Sequence, residues 1–521
     1  MKSENYNLPE GSAGPDVVEY PNAFRAACIS VGVALGIFLV GLDMTIVATA
    51  IPRITDDFSG IDLIGWYGSA FFITLACFQP FWGKVYPFFS LKYAFLVAVF
   101  IFELGSLLSG VAPNSTVLIV GRAITGAGGA GIATGGYAIL SIIVRPQIRP
   151  IFTGLITTVY SIANVLGPIL GGVFAEQTTW RWCFYVNLPF GGASGLIIFL
   201  LFHVPENARR AKAPLKEKLS HMDPIGITLA LASLIFLTRV FQVAGLDRKW
   251  DSAEVIGLLV GCVVSTIAFI ISQYFQGDRA LLVSRLIKKR IVAVGMAYGF
   301  FHEGAFFLLL YYVPIYFQVV RGATPAEAGV RNLPLLISCG VGSLLVGFVV
   351  SRFGHFVPLM LWASAAGCVG SGLIYTLNAT SSPAEWISYQ IIAGLAYGSG
   401  LPLAIIAAQA KSETEDLAST TAMLLFMFNV GTSTSLGAGQ AVLNNLLLSK
   451  LPETAPNVDP FDVISAGATE TRATFPTAVV PGIVQAYLET LRAIYAIVIA
   501  YAGVAVVFAV VNRWEKLRMK E

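Results

Sequence analysis

The dominant pattern along the chain is a series of apolar blocks, each about 20 residues long, separated by short polar stretches. A block of this length is what an α-helix needs to cross the hydrocarbon core of a bilayer. We place the spans near residues 26–50, 64–86, 93–112, 117–140, 151–174, 184–204, 224–245, 253–275, 291–317, 327–350, 356–377, 386–409, 418–440 and 489–511. The pattern therefore predicts an all-α polytopic membrane protein with about 14 transmembrane helices.

The spans divide into two sets of six with a pair between them. Short matches relate the two sets: Ile51-Pro52 to Val313-Pro314, Gly83–Lys92 to Gly347–Phe356, Asn164-Val165 to Asn429-Val430, and the glycine pattern at Gly126 to that at Gly394. The offsets, 262 to 268 residues, agree closely. Because carriers are often built from repeated helix bundles with the substrate site between them, we predict two six-helix bundles around a central cavity, plus two inserted helices.

This division gives five predicted segments. They are an N-terminal segment (1–25), a first bundle (26–204), basic connectors with the inserted helices (205–290), a second bundle with an outer loop at 450–488 (291–511), and a tail (512–521). The basic clusters at 209–218 and 279–290 lie on one side of this topology, which makes that side cytoplasmic. We expect both termini on the same side, no cleaved leader, and a plasma-membrane location. No K-D-E-L retrieval signal is present, and an internal membrane is the alternative.

The amino-acid composition narrows the classes of protein and partner that are possible. Charged residues make up 12% of the chain, against about 25% in soluble domains, while hydrophobic residues reach 56% and the mean hydropathy is +0.74. The net charge of +3 argues against a nucleic-acid partner. The six cysteines lie in or beside apolar blocks without metal-ligand spacing, so we interpret them as packing residues. Both N-x-[ST] sequons, at Asn114 and Asn378, fall in predicted outer loops and are candidate glycosylation sites.

Charged residues inside spans are candidates for function, because each costs at least about 2.5–3.5 kcal/mol in the bilayer. Asp43 in span one lies roughly 13 Å from the outer end, and Arg122 in span four roughly 8 Å from the same side. The two could form a pair, and protonation of the acid would break it and leave Arg122 uncompensated. The alternative is that Asp43 only caps or hydrogen-bonds a neighbouring helix.

Other acids lie near the middle of their spans. Glu303, beside His302 in span nine, is a second candidate for proton binding, whereas Glu103 in span three is interpreted as a packing hydrogen bond. In span five, Gly167-Pro168-Ile169-Leu170-Gly171-Gly172 combines three glycines with a proline. This composition allows a hinge or a close helix contact; ordinary helix packing is the alternative.

These motifs together resemble the major facilitator superfamily, in particular its fourteen-span drug:proton antiporters. Leu42–Val47 through Pro52 is similar to that branch's first-helix motif, Gly121-Arg122 with Gly126 to its fourth-helix arginine motif, and Gly167–Gly172 to its antiporter motif. The resemblance implies efflux, and it implies that Arg122 takes part in proton coupling. The stretches Trp180–Pro189 and Tyr311–Gln318 are similar to those of fungal members that export toxins and secondary metabolites.

One segment departs from that pattern. The family's loop between spans two and three is G-x-L-a-D-r-x-G-r-k, but here Gly83–Lys92 has Pro87 where the acid stands. The second copy has Ser351 at the equivalent position. We therefore assign no gating role to Pro87, and closure of the cytoplasmic side must use other contacts.

The leading hypothesis is a secondary active transporter, acting as a monomer, that exports an amphipathic toxin, drug or secondary metabolite in exchange for protons. Polar and aromatic side chains on the spans could line its pocket: Asn164, Tyr311, Tyr312, Gln318 and Phe428. Proton-coupled uptake of a nutrient or metal chelate is the alternative, and a non-transporting membrane sensor is a remote one. No ATP-binding loop, metal cluster or H-E-x-x-H spacing is present, so we expect neither a cofactor nor an enzyme.

Overall fold

The computed structural model describes residues 21–47, 49–58, 63–203, 214–246 and 248–517. Most of the predicted N-terminal segment, residue 48 of the first-helix motif, the 209–213 part of the first basic cluster and the last four residues of the tail lie outside these ranges. Apart from two isolated β-bridges, the described regular structure is helical. The prediction of an all-α polytopic membrane protein is confirmed.

The first half of the chain forms α1 to α8. Their bounds are α1 Ala23–Ile46, α2 Ile51–Phe58, α3 Ile64–Phe88, α4 Leu91–Gly110, α5 Ser115–Ile143, α6 Arg149–Gln177, α7 Trp182–Tyr185 and α8 Asn187–Leu201. The insertion contains α9 Leu215–Ser220, α10 Pro224–Val243 and α11 Ala253–Gln276. The second half contains α12 Ser284–Ile287, α13 Arg290–Ile315, α14 Pro325–Arg331, α15 Leu333–Phe353, α16 Val357–Tyr375, α17 Pro383–Ala410, α18 Leu417–Thr454, α19 Pro460–Thr474 and α20 Val480–Val511.

Twelve helical segments of the described chain are long and apolar enough to cross a membrane. The other two predicted spans, near 64–86 and 418–440, fall on α3 and α18, which have 25 and 38 residues but are less apolar. Both helices pack between other helices, and this position tolerates polar side chains such as Gln79 and Asn429, both buried. The count of fourteen is therefore approximate: twelve helical segments of the described chain qualify as candidate spans by length and composition.

Polar side chains outside the apolar blocks set several helix starts. Asn114 accepts a hydrogen bond from the Val117 amide at 3.0 Å, and Ser252 accepts one from Val255 at 3.3 Å. Ser382 and Glu385 form a reciprocal capping box at the start of α17. Each side chain satisfies an amide that has no partner in the first helical turn, so these helices begin where such caps occur.

The predicted outer loop at 450–488 is largely helical, which corrects that part of the sequence interpretation. α18 continues to Thr454, α19 occupies Pro460–Thr474 with a break at Gly467 (φ 69°), and α20 begins at Val480. Two of the prolines that predict a loop, Pro460 and Pro481, instead lie in first helical turns, where a missing N–H costs nothing. Pro460 follows the cap Asp459, whose carboxylate accepts from the Phe461 amide at 2.8 Å.

Equivalent contacts recur in the two halves. A methyl group added to Gly126 would lie 2.4 Å from the Phe71 carbonyl oxygen, and one added to Gly394 would lie 2.1 Å from that of Leu335. The amides of Asn164 and Asn429 each donate to the carbonyl four residues earlier, at 2.9 and 2.8 Å. These matched contacts fall on the residues whose spacing suggested a duplication, and they support it.

The two halves meet along two seams. At the α6–α15 seam, a methyl group on Gly154 would lie 2.4 Å from the Ser343 carbonyl oxygen, and Thr158 donates to the Gly340 carbonyl at 2.9 Å. At the α3–α18 seam, Ser419 donates to the Gly83 carbonyl at 3.0 Å. The inserted α10 contacts both α3 and α18, so it lies across the second seam.

Candidate functional site

Asp43 and Arg122 form a fully buried ion pair between α1 and α5. Arg122 donates from Nη1 to Asp43 Oδ2 and from Nη2 to the Asp43 carbonyl oxygen at 3.1 Å. Its Nε donates to the Tyr67 carbonyl of α3 at 2.9 Å. The guanidinium thus ties three helices together, and its position in the protein interior separates both charges from water.

The second carboxylate oxygen of Asp43 is also occupied. Asn187 of α8 donates from Nδ2 to Asp43 Oδ1 at 3.1 Å and to Ser106 Oγ of α4 at 3.2 Å. The Arg122 guanidinium lies 4.6 Å from the centroid of the Phe71 ring, within the range of a cation–π contact. A proton on Asp43 would remove the charge that compensates Arg122, and such an uncompensated buried charge is strongly unfavourable.

The glycines of the antiporter motif fit α6 closely onto the helix that carries Asp43. A methyl group on Gly167 would lie 2.0 Å from Thr45 Oγ1, and one on Gly171 would lie 2.2 Å from the Ile46 carbonyl oxygen. A methyl group on Gly172 would meet no atom within 4 Å. α6 runs without interruption through Pro168. Gly167 and Gly171 therefore permit a close α1–α6 contact, while Gly172 does not take part in it.

Glu303 of α13 lies between the two halves and is 8% exposed. Tyr137 and Tyr160 of the first half and Cys339 of the second are close enough for its charge to act on them. In contrast to Asp43, Glu303 has no ion-pair partner within the described ranges. The adjacent His302 is directed elsewhere: its Nε2 lies 3.0 Å from the Tyr397 carbonyl oxygen.

Tyr311 and Asn164 face the region between the halves near Asp43. The Tyr311 hydroxyl donates to the Met44 carbonyl at 3.2 Å, and the Tyr160 hydroxyl lies 2.9 Å from Met44 Sδ. Asn164 donates to the Tyr160 carbonyl, and its Oδ1 has no partner in the part of the chain that the structure describes. The structure brings these side chains together beside the buried ion pair.

The other predicted cavity residues lie elsewhere. Tyr312 packs in the second half, where a methyl group on Gly439 would lie 3.0 Å from its hydroxyl. Phe428 covers Gly299, since a methyl group there would lie 1.7 Å from Phe428 Cε1. Gln318 is half-buried in the π-helical turn Tyr316–Val320. The structure therefore does not group these three with Tyr311 and Asn164.

Sequence reasoning missed Tyr67 and Asn187, which are hydrogen-bonded to the ion pair, and Ser106, which accepts from Asn187. Asn187 lies in the stretch Trp180–Pro189, and the resemblance of this stretch to fungal transporters does not indicate a contact with the ion pair. A polar side chain in an apolar block was the available signal for Ser106 and Asn187. Tyr67 acts through its backbone carbonyl, which no side-chain pattern could reveal.

Two further predictions concern residues outside this cluster. The sequence predicts a packing hydrogen bond for Glu103, but neither carboxylate oxygen has a hydrogen-bond partner among the residues described. The side chain instead lies over Gly191, where a methyl group would be 1.6 Å from Oε1.

Asn114 is exposed and caps α5, and Asn378 accepts from the Thr380 amide at 2.8 Å. Glycosylation of either asparagine stays a prediction.

Comparison with known proteins gives a consistent result. The family described as the Major Facilitator Superfamily matches residues 33–436. The chain is 44% identical over 510 residues to the MFS-type transporter grgE of a Penicillium species, covering 98% of this chain and 90% of the relative. It is 42% identical over 523 residues to the probable efflux pump gsfJ of Penicillium aethiopicum, covering 100% and 93%. The MFS-type efflux pump MFS1 of Trichophyton rubrum is 38% identical over 506 residues, covering 97% and 94%.

Solved structures share the fold at low sequence identity. The proton:xylose symporter XylE bound to 6-bromo-6-deoxy-D-glucose matches with a TM-score of 0.58 and 13% identity, covering 95% of this chain and 99% of that one. The human organic anion transporter MFSD10 matches with a TM-score of 0.57 and 15% identity, covering 92% and 99%. These likenesses concern the fold.

Proposed function

Since this chain belongs to the Major Facilitator Superfamily, a class of membrane transporters rather than enzymes, we propose that it exports an amphipathic organic compound in exchange for protons by alternating access. The buried Asp43–Arg122 pair carries this proposal. The names of the relatives from Penicillium aethiopicum and Trichophyton rubrum support the outward direction. We further propose a monomer in the plasma membrane with both termini cytoplasmic; the basic connectors support this orientation of the termini.

Asp43 is the proposed site of proton exchange. Its carboxylate is stabilised by Arg122 and Asn187, so taking up a proton removes the ion pair with Arg122 and weakens the hydrogen bond from Asn187. Arg122 would then keep only the carbonyl oxygens of Asp43 and Tyr67 as acceptors, with no carboxylate to compensate its charge. Proton binding would therefore favour a movement of α1 relative to α5, the two helices that hold the pair.

The α1–α6 contact would transmit this movement to α6. Gly167 and Gly171 hold α6 against α1 with no space for a side chain, so a shift of α1 moves α6 as well. α6 in turn packs along α15 of the second half. This arrangement gives the antiporter motif a physical role, which is transmission from the proton site to the seam between the halves.

The substrate is proposed to bind between the halves, beside the proton site. Tyr137, Tyr160 and Tyr311 provide aromatic surface there, and Asn164 Oδ1 and Glu303 provide acceptors. A mainly aromatic pocket with few fixed polar groups suits an amphipathic secondary metabolite. Glu303 is proposed as a second proton-binding group, since it lies between the halves and has no ion-pair partner among the described residues.

Proteoliposomes containing pyranine test the proposal. Purified protein is reconstituted, an inward or outward proton gradient is imposed, and the movement of rhodamine 6G and Nile red is recorded with the internal pH. Proton-driven dye movement by the wild type, lost in Asp43→Asn and retained in Asp251→Asn, is the expected result; Asp251 is an exposed loop acid. Dye movement that is unaffected by the gradient, or by Asp43→Asn, contradicts proton exchange at this site.

A further inference from the structure

Lys84 is a buried lysine at the end of α3, next to the α3–α4 corner that the sequence places on the cytoplasmic side. It is 5% exposed, and its ammonium donates to the Asp278 carbonyl at 2.6 Å. Asp278 lies in the short turn that follows α11, so it belongs to the insertion. A charged group of the first half is thus held by the inserted segment.

The charges around Lys84 come from outside the first half. Asp278, Asp223 and Asp416 attract its ammonium, while Arg285 opposes them. Arg285 is itself neutralised, because both of its terminal nitrogens donate to the Asp416 carboxylate at 2.8 Å. Asp416 and Arg285 therefore offset one another, and the acidic charge that Lys84 faces comes from Asp278 and Asp223 of the insertion.

The backbone beside Lys84 fits closely onto α18. Ser419 donates to the Gly83 carbonyl at 3.0 Å, and a methyl group on Gly83 would lie 2.5 Å from the Ala422 side chain. Pro87, where the resembling family has an acid, is one helical turn further and supplies no charge to this contact. The first half closes onto the second here through Gly83 and Lys84.

The insertion can hold Lys84 because its own ends are fixed. The Asp223 carboxylate accepts from Gln273 at 2.7 Å, from Gln276 at 2.6 Å and from the Leu281 amide at 3.2 Å. These bonds join the start of α10 to the end of α11 and to the chain beyond it. The carbonyl of Asp278 lies between those anchored points, so its position is set by the inserted helices.

The inserted helices also contact both halves along the seam. Phe269 of α11 packs against Phe426 of α18 with ring centroids 6.4 Å apart. Cys77 of α3 is buried in a cluster with Ile227 of α10 and Phe269. The insertion therefore lies across the line where the two halves must separate.

We propose that Lys84 and the inserted helix pair form a latch that closes the cytoplasmic side of the transporter. The insertion supplies the carbonyl acceptor and the carboxylates that hold the first half closed. These groups do the work of the family's loop acid, where this chain has Pro87. Lys84 is a positioning residue: opening toward the cytoplasm requires its ammonium to leave the Asp278 carbonyl. The proposal rests on the alternating access proposed above and on the cytoplasmic placement of this face.

Cys339 provides a native reporter of opening. It is buried on α15, with its sulfur 3.5 Å from Ser161 Oγ of α6, so it lies in the other seam between the halves. In a variant with the remaining five cysteines replaced by alanine, inside-out vesicles are exposed to a membrane-impermeant maleimide. Labelling of Cys339 from this side reports how often the cytoplasmic side opens, and it needs neither substrate nor a proton gradient.

In the Lys84→Met variant, Cys339 is expected to be labelled about tenfold faster than in the parent. Loss of one hydrogen bond to a charged group produces a factor of this size. Lys92→Met is the matched control, since Lys92 lies at the same corner but stacks on Phe199 within the first half; it should label at the parental rate. Asp278→Asn, which keeps the carbonyl and removes an exposed charge, should accelerate labelling less than Lys84→Met.

Equal labelling of Lys84→Met and the parent would overturn the latch, and so would equal acceleration by Lys92→Met. Each variant is first checked for a single gel-filtration peak. If Lys84→Met does not pass, Asp278→Asn decides, because its carboxylate is exposed and its loss leaves the packing intact; labelling of Asp278→Asn at the parental rate would then overturn the latch. Failure of proton-driven efflux in proteoliposomes would leave this labelling result unchanged, so the two proposals fail separately.

Discussion

The hydroxyl of Tyr311 donates to the carbonyl oxygen of Met44 at 3.2 Å, and this bond joins α13 of the second half to the residue that follows Asp43. The same Met44 receives the Tyr160 hydroxyl at its sulfur, 2.9 Å away. The backbone beside the buried ion pair is thus held from both halves. If α1 shifts at Asp43, the contacts of Met44 with Tyr311 and Tyr160 must either break or move together with α1.

Tyr311→Phe removes the bond to Met44 while keeping the ring. We expect proton-driven dye efflux to fall about threefold to tenfold, because an intramolecular hydrogen bond contributes about 0.5–1.5 kcal/mol. The initial rate in proteoliposomes measures the effect. Tyr375→Phe is the control, since Tyr375 is exposed at the end of α16. Equal rates for Tyr311→Phe and the wild type would show that this contact does not connect the halves during transport.

Arg122→Met should destabilise the protein strongly. It leaves the Asp43 carboxylate buried without its partner, a change that costs about 3–5 kcal/mol in comparable pairs. The double variant Asp43→Asn/Arg122→Met should be more stable than Arg122→Met alone, because no buried charge remains. The midpoint of thermal unfolding in detergent, followed by tryptophan fluorescence, measures both.

Arg248→Met is the matched control for that experiment. Arg248 pairs with Glu254 at 2.9 Å, but both side chains are exposed, and exposed pairs contribute little. Its unfolding midpoint should stay close to that of the wild type. A double variant no more stable than Arg122→Met would mean that the lost packing of Arg122, rather than the orphaned carboxylate, causes the damage.

Much of the fold follows from the apolar blocks, because a helix is the structure that satisfies the backbone of a single apolar segment in lipid. The exceptions have physical causes. α3 and α18 carry polar side chains such as Gln79 and Asn429 that are buried against other helices, so hydropathy marks these two helices weakly. The prolines after Lys450 suggested a loop, yet Pro460 and Pro481 lie at the starts of helices.

Only one part of the candidate site could be predicted from the sequence, namely the part for which depth in the membrane indicates a contact. Asp43 and Arg122 have similar calculated depths, and the structure pairs them. Whether Asn187 faces that pair depends on the rotation of α8, which composition does not reveal. The partner of Lys84 lies 194 residues away on an inserted segment, so no local pattern could identify it.

Gly167→Ala should lower stability by about 1–3 kcal/mol, the usual cost of overpacking. The added methyl group would lie 2.0 Å from Thr45 Oγ1 and would force α6 away from α1. Gly172→Ala, five residues further along the same helix, meets no atom within 4 Å and should be tolerated. Thermal unfolding and dye efflux of the two variants check this. Equal losses in both would indicate that flexibility of the segment, rather than the close contact, is the property required.

The latch should weaken as the cytoplasmic pH falls. Burial lowers the pKa of His221 below its ordinary value of 6.5, and the nearby cations Lys84 and Arg279 lower it further, with Glu217 and a hydrogen bond to the Asp278 backbone opposing them. The closed state therefore binds fewer protons than an open state in which His221 is free in water. Closure is then favoured above pH 6.5 and is lost as the pH falls below it.

Labelling of Cys339 in the single-cysteine variant, measured between pH 7.5 and 5.5 and normalised to labelling in denaturant, tests this dependence. The normalised rate should rise as the pH falls through about 6.5, since protonation places a second positive charge beside Lys84. His221→Gln should remove the rise while keeping the rate at pH 7.5, because the amide is uncharged throughout. If His221→Gln shows the same rise as the parent, another group controls the pH dependence of closure, and His221 only packs against Phe88, whose ring lies 4.9 Å away.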